Sequence, residues 1–118
     1  MPTKEELLSG FIQELRRGTI LLPVLSKLQR PAYGYELIAD LARGGVRIEA
    51  NTLYPLLRRL EGQGLLEASW SLDAAKPRKY YAATLLGLEL LRDMKAHWQR
   101  AVLSLQTILE EDLPHDQP

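Results

Sequence analysis

A chain of 118 residues, 46% of them hydrophobic and 25% charged, has the composition of one globular domain rather than of a disordered segment. Its 15 basic and 15 acidic side chains balance, so no overall positive field indicates a nucleic-acid partner. The chain has no cysteine, which excludes disulfides and thiolate metal sites, and its longest apolar run, residues 20–25, is too short to cross a bilayer. The first ten residues also lack a signal-peptide pattern, so we expect a soluble, cytoplasmic protein.

Two helices are predicted first. Thr3 and Glu6 have the spacing of a capping box, which starts a helix with an apolar stripe through Arg16. A second apolar segment, residues 20–28, predicts a buried helix, in which Pro23 must lie in the first turn or cause a kink.

The middle of the chain contains the most informative helix. Residues 35–45 predict a short helix stopped by glycines, and residues 46–49 predict a single short strand. Leucines at i, i+3, i+4 and i+7 then define the buried side of what we call the four-leucine helix: Leu53, Leu56, Leu57 and Leu60. It ends where Gly64 suits the left-handed position after a helix.

A hairpin is predicted to follow. Leu66, Ala68 and Trp70 alternate with polar residues, which is typical of a half-buried strand. Residues 78–83 read as the returning strand, and the loop between the two strands is polar with a basic tip.

A long final helix completes the order of elements. Thr84 caps it, and it runs from residue 85 to about residue 112, roughly 40 Å at 1.5 Å per residue. Three helices followed by a two-stranded hairpin is the winged helix-turn-helix order, so the predicted fold is mainly α with a small β-hairpin. We expect a winged-helix domain with its N-terminal helix over residues 1–84, a dimerisation helix over 85–112 and a flexible tail over 113–118.

The four-leucine helix has a distinctive set of side chains on the side away from its leucines: Asn51, Thr52, Tyr54, Pro55, Arg58 and Arg59. Short polar and apolar groups near the helix start, with guanidinium groups in the next turn, match what base edges and phosphates offer in a DNA major groove. The alternative is an ordinary solvated face, since every amphipathic helix has one. The pattern favours DNA recognition and leaves that alternative open.

Basic residues also cluster at the predicted hairpin. Lys76, Arg78 and Lys79 lie at its tip or just inside the returning strand, where a wing would touch backbone phosphates. The alternative is an edge strand that positive charge protects from pairing with other chains.

Four stretches resemble PadR-type transcriptional regulators: "LRRGT" at residues 15–19, "YGYEL" at 33–37, "NTLYPLLRRLEGQGLL" at 51–66 and "PRKYY" at 77–81. The single last helix matches the small subfamily of that family. The resemblance implies a homodimeric winged-helix repressor that binds double-stranded DNA. A two-fold symmetric dimer should prefer an operator that is an inverted repeat. It implies that the four-leucine helix enters the major groove, that the wing touches the backbone, and that Tyr35 corresponds to a tyrosine able to contact phosphate.

Apolar stripes at both ends of the chain predict a partner helix. The last helix carries Leu91, Met94, Trp98, Ala101, Leu105 and Ile108 at spacings of three and four, and the first helix contributes Leu8, Phe11 and Ile12. The resemblance implies that these helices form the dimer interface, and that an aromatic effector stacks at Trp98 with Met94 beside it. The alternative, which we favour at this stage, is that Trp98 is a plain interface residue.

Catalysis finds little support in the sequence. Glu89, Asp93 and His97 share one helical face, but a solvated face explains them better than a metal site. No serine has a histidine and an acid at a recognisable spacing, and there is no glycine-rich phosphate loop, so we predict neither an enzyme nor a cofactor. The remaining rival is a winged-helix module that binds a protein instead of DNA.

Overall fold

The computed structural model describes residues 1–72 and 75–111, and within them it has five helices and a three-stranded antiparallel sheet. The elements in chain order are α1 (Lys4–Arg17), α2 (Leu21–Lys27), β1 (Ala32–Tyr33), α3 (Gly34–Arg43), α4 (Ala50–Gly62), β2 (Leu66–Ser71), β3 (Arg78–Ala83) and α5 (Leu85–Leu109). The mainly α fold with a winged-helix order is therefore confirmed. The tail predicted for residues 113–118 lies outside the described residues.

The core is built from leucine-rich faces of α2, α3 and α4. Its fully buried side chains are Val24, Leu25, Leu28, Leu37, Leu41, Leu53, Leu57 and Leu60. Three of the four leucines of α4, the four-leucine helix, belong to this set, and Leu56 is partly buried against it. The buried side of that helix is thus as its spacing predicts. Pro23 lies in the first turn of α2, where a missing N–H leaves no helical hydrogen bond unmade.

The short strand forms at a different place from the one predicted. Residues 46–49 are not a strand; instead Ala32 and Tyr33 pair with Tyr81 and Tyr80 of β3, which gives the sheet order β1-β3-β2. The backbone N–H of Val46 donates to the carbonyl of Leu41 at 2.9 Å, which turns the chain off the end of α3. The apolar residues of 46–49 mark a loop that packs into the core, not a strand with a partner.

The hairpin departs from the predicted burial at one residue. Leu66 is buried and Ala68 is partly buried, as the alternation predicts, but Trp70 is 64% exposed. All three share one face of β2, and the burial of that face decreases along the strand from Leu66 to Trp70. The prediction that Trp70 lies on the buried side of a half-buried strand is therefore wrong, because the burial of that face ends before residue 70.

Thr84 joins the hairpin to α5 through two hydrogen bonds. Its hydroxyl accepts from the backbone N–H of Gly87 at 3.1 Å, which is the predicted helix cap, and donates to the carbonyl of Gly64 at 2.6 Å. Gly64 has φ of +79°, the left-handed conformation predicted after α4. Gly87 lies so close to the Leu65 carbonyl that a Cβ there would collide with it. The ends of α4 and α5 are thus held together.

α1 stands apart from this core. The Thr3–Glu6 capping box forms as predicted, but α1 has no buried residue. The last helix ends at Leu109, slightly before the predicted residue 112, and the described chain measures 69 × 35 × 24 Å. No described helix is both long enough and apolar enough to span a membrane.

Candidate nucleic-acid interface

The outer face of α4 is open to solvent. Asn51, Thr52, Pro55, Arg58 and Arg59 are all exposed, as the helical wheel predicts. Pro55 lies in the second turn of the helix, where it has no N–H to donate to the backbone carbonyl of Asn51, a residue on the exposed side. The arrangement displays short polar groups at the start of the helix and two guanidinium groups one turn later.

Tyr54 is the exception on this helix. It is partly buried and packs against the core, so the prediction that it lies wholly on the exposed side is wrong. Its hydroxyl contacts Gly34 so closely that a Cβ at Gly34 would collide with it, and the Tyr35 ring stacks edge-on at 6.2 Å. Burial, with smaller contributions from Tyr35 and Tyr81, raises the pKa of Tyr54, so its hydroxyl remains a neutral donor at physiological pH.

Tyr35 itself is exposed beside Tyr54 at the start of α3. This location is compatible with the phosphate contact that the family resemblance implies, since the hydroxyl is accessible next to the outer face of α4.

The basic residues of the hairpin divide into two groups. Lys76 and Arg78 are exposed, and the Arg78 guanidinium lies over the Tyr33 ring at 4.5 Å from its centre, which orients it. Lys79 is half-buried instead, and its Nζ donates to Glu61 Oε1 of α4 at 3.3 Å. Burial lowers the pKa of Lys79, but the hydrogen bonds to Glu61 and Tyr81 outweigh it and leave that pKa raised. Lys79 therefore ties the hairpin to α4, and Lys76 and Arg78 are the freer cations.

A groove of about 680 Å³ separates α4 from the hairpin, and we call it the helix–wing groove. Residues of β1, α3, α4 and the hairpin line it: Tyr33, Gly34, Tyr35, Tyr54, Arg58, Trp70, Lys76, Pro77, Arg78, Lys79 and Tyr81. Four of these lining residues are cations: Arg58, Lys76, Arg78 and Lys79. Among residues 1–72 and 75–111, no carboxylate lines the groove. The neutral net charge of the protein thus conceals a strongly basic and aromatic surface.

Sequence reasoning missed a second basic surface. Arg16 and Arg17 of α1 line a cavity with Arg47 and with Thr52 at the start of α4. None of these three arginines forms a salt bridge with another residue in 1–72 or 75–111. Arg47 precedes the first residue of α4 by three positions. This position next to the four-leucine helix is the feature of the sequence from which the second basic surface could have been predicted.

Most residues of the two predicted apolar stripes are exposed, and Leu91 is the exception. Leu8, Phe11 and Ile12 of α1 and Ala101, Leu105 and Ile108 of α5 face solvent, and Met94 is partly buried. Leu91, however, is only 8% exposed and belongs to the core of its own chain. Its prediction as a dimerisation residue is therefore wrong, because α5 packs on α2 at this level.

Trp98 is 45% exposed at one end of a cavity of about 670 Å³ between α2 and α5. Leu22, Pro23 and Leu88 give this cavity an apolar wall, while Arg92 and Lys95 add two cations. Met94 is not among the residues that line this cavity, and its predicted place beside Trp98 in an effector site at the dimer interface stays a prediction. Among the described residues, no cluster of three His, Asp or Glu side chains has the arrangement of a metal site.

Comparison with known proteins agrees with this geometry. Residues 21–93 match the Transcriptional regulator PadR-like family. A transcriptional regulator of Mycobacterium tuberculosis is 32% identical over 83 residues, which cover 70% of this chain and 78% of that protein.

Solved structures extend the similarity to the whole fold. A PadR family transcriptional regulator from Eggerthella lenta is 49% identical, with a TM-score of 0.87 and coverage of 92% of this chain and 96% of that one. A PadR-like transcription factor from Bacteroides fragilis is 30% identical, with a TM-score of 0.70 and coverage of 84% and 98%. The chain therefore belongs to the PadR-like family of transcriptional regulators.

Proposed function

We propose that this protein is a sequence-specific, DNA-binding repressor that acts as a homodimer. The observation that carries the proposal is the helix–wing groove, in which Arg58 of α4 faces the cations of the hairpin. Such a groove suits a phosphate backbone, and the exposed outer face of α4 beside it suits base edges in the major groove.

The roles of the individual residues follow from their exposure. Asn51, Thr52 and Arg58 are exposed on the outer face of α4 and would reach base edges, and Arg59 would reach a flanking phosphate. Lys76 and Arg78 would contact the backbone without regard to sequence. Tyr54 and Lys79 would position α4 and the hairpin for these contacts, since both are held by contacts within the chain.

A protein-binding winged-helix module is the rival function, and salt distinguishes the two. Each phosphate neutralised by a lysine or arginine contributes about 0.9 to the slope of log affinity against log salt on duplex DNA. We therefore expect wild-type protein to bind DNA from upstream of its own gene with a slope of several units. A protein partner with a mixed polar surface would give a shallow slope.

Two variants separate base reading from backbone contact in the same titration. Arg58→Ala should reduce the preference for the operator over random DNA, at a cost of about 1–3 kcal/mol on the operator alone. Lys76→Ala should weaken binding to both DNAs alike and flatten the slope by about one unit. If both variants weaken both DNAs equally, α4 does not read bases.

The homodimer is supported by the exposed stripes of α1 and α5. Large apolar side chains such as Phe11 in α1 and Ile108 in α5 are exposed to solvent. Exposed apolar patches of this kind mark interaction sites on protein surfaces. The dimer interface would begin beyond Leu91, since that residue is already covered by α2. The chain would then divide within α5. The DNA-binding part would include the first turns of α5 up to Leu91, and the rest of α5 would be the dimerisation helix.

An effector site at Trp98 is a second function that the cavity between α2 and α5 favours. Its apolar wall would hold a planar ring against the indole. Arg92 and Lys95 line the same cavity, so they favour a neutral or anionic aromatic ligand over a cationic one.

Fluorescence tests this site directly. Titration with planar aromatic acids should quench tryptophan emission, and titration with planar cations should not. Trp98→Phe should abolish the response, and Trp70→Phe should preserve it, because Trp70 lies on the hairpin. Quenching that survives Trp98→Phe would place the ligand elsewhere.

A further inference from the structure

Trp70 is the residue of the helix–wing groove that the proposed function leaves without a role. It stands opposite Lys79 in the β2–β3 register and is 64% exposed. A single exposed aromatic side chain needs no explanation by itself, because surfaces carry many of them. The surroundings of this one are what distinguish it.

The indole lines the same groove as cations that come from two different elements. Arg58 reaches the groove from α4, and Lys76 and Arg78 reach it from the hairpin. A large apolar ring between separated positive charges fits a ligand that alternates negative groups with flat or apolar ones. Nucleic acid has that composition, since each phosphate is followed by a sugar and a base.

Trp70 also has the properties that such a contact requires. Its ring offers a flat apolar area, and its Nε1–H donates a hydrogen bond, so it can lie at a boundary between apolar and wet surfaces. It lies toward the end of β2, and most of its surface is open to solvent. It can therefore approach a groove edge without any rearrangement of the core.

We propose that Trp70 contacts the DNA directly, packing its indole against deoxyribose or the edge of a base beside the wing. The contact is non-ionic, so it adds affinity without releasing counterions, and it accompanies the phosphate contacts of Lys76 and Arg78. This inference rests on the proposed DNA-binding function and adds a residue and a kind of contact to it.

The first test uses affinity at several salt concentrations. Trp70→Ala should weaken binding to a duplex from upstream of the gene about tenfold, with the salt slope unchanged. Lys76→Ala should flatten that slope by about 0.9. Trp70→Phe should retain most of the affinity because it keeps a flat ring, and Ser69→Ala is a matched control on the opposite face of β2 that should change nothing.

The second test uses the indole as its own reporter. The chain has two tryptophans, so Trp98→Phe leaves Trp70 as the only one. Its emission should change on addition of duplex DNA and saturate at the stoichiometry of binding. Thermal melts of every variant check that the fold is retained.

The outcomes separate this inference from the function on which it rests. If wild-type protein binds DNA with a steep salt slope, but Trp70→Ala binds equally well and the emission does not move, the Trp70 contact is refuted and the repressor proposal stands. A flattened slope in Trp70→Ala would also refute it, because the indole would then act by positioning cations. If the wild-type protein binds no DNA at any salt concentration, both proposals fail.

Discussion

Gly34 has no side chain, and this allows Tyr54 of α4 to pack directly against the start of α3. The Tyr54 hydroxyl occupies the space in which a side chain at Gly34 would stand. This contact fixes the start of α3 against α4, and it brings Tyr35 beside Tyr54. The glycine is needed here for close approach and not for its backbone freedom, since its φ is not positive.

Gly34→Ala should therefore lower the free energy of unfolding by about 1–3 kcal/mol, because it overpacks a close contact. Urea titration measures the loss. Combining it with Tyr54→Ala should recover part of the loss, since the truncated side chain leaves room for the new methyl. Purely additive effects in this double-mutant cycle would contradict the close-approach explanation. Gly62→Ala serves as a control, because a Cβ at Gly62 meets nothing within 4 Å.

At the scale of elements, the joint at Thr84 connects three of them. One hydroxyl group caps α5 and holds the carbonyl of Gly64, which follows α4. The backbone N–H of Thr84 also donates to the Leu65 carbonyl at 3.0 Å, just before β2. A single residue thus fixes the start of α5 relative to the end of α4.

Thr84→Ala should cost about 1 kcal/mol or more in the free energy of unfolding, because it removes a helix cap and a second hydrogen bond together. Thr84→Ser retains the hydroxyl and should lose much less. Denaturant unfolding followed by circular dichroism compares the two variants. Equal losses would mean that the methyl group, not the hydroxyl, stabilises the joint.

The whole molecule is an elongated chain with apolar stripes at its two terminal helices. Sequence pattern predicted most of this organisation, because buried leucines at helical spacing and the turn residues between them are local signals. The position of β1 was not predictable in this way, since pairing of Ala32 with Tyr81 depends on residues 49 positions apart in sequence. Trp70 and Leu91 were misassigned for a related reason: alternation and heptad spacing identify an apolar face but not which element covers it.

The stripes give the prediction that belongs to this scale. Phe11→Asp should weaken the proposed dimer by at least tenfold, because it places a charge in the centre of the α1 stripe, while leaving the α2–α4 core intact. Sedimentation at several concentrations measures the shift to monomer, and Ser9→Asp is the control, because Ser9 is exposed on the opposite face of the same helix. A wild-type protein that remains a folded monomer at micromolar concentration would contradict the dimer itself.

Because Thr84 fixes the start of α5, a small change of angle there moves the far end of the helix by a large distance. The 25 residues of α5 extend roughly 37 Å from Thr84, so a tilt of about 5° at Thr84 displaces the far end by about 3 Å. The reverse also holds: whatever fixes the far ends of two such helices against each other sets the angle at both joints, and with it the separation of the two α4 helices. Half-sites in DNA repeat about every 34 Å. In the proposed DNA-bound dimer, a tilt of a few degrees in α5, which itself would touch no DNA, would therefore decide whether both α4 helices reach successive grooves at once.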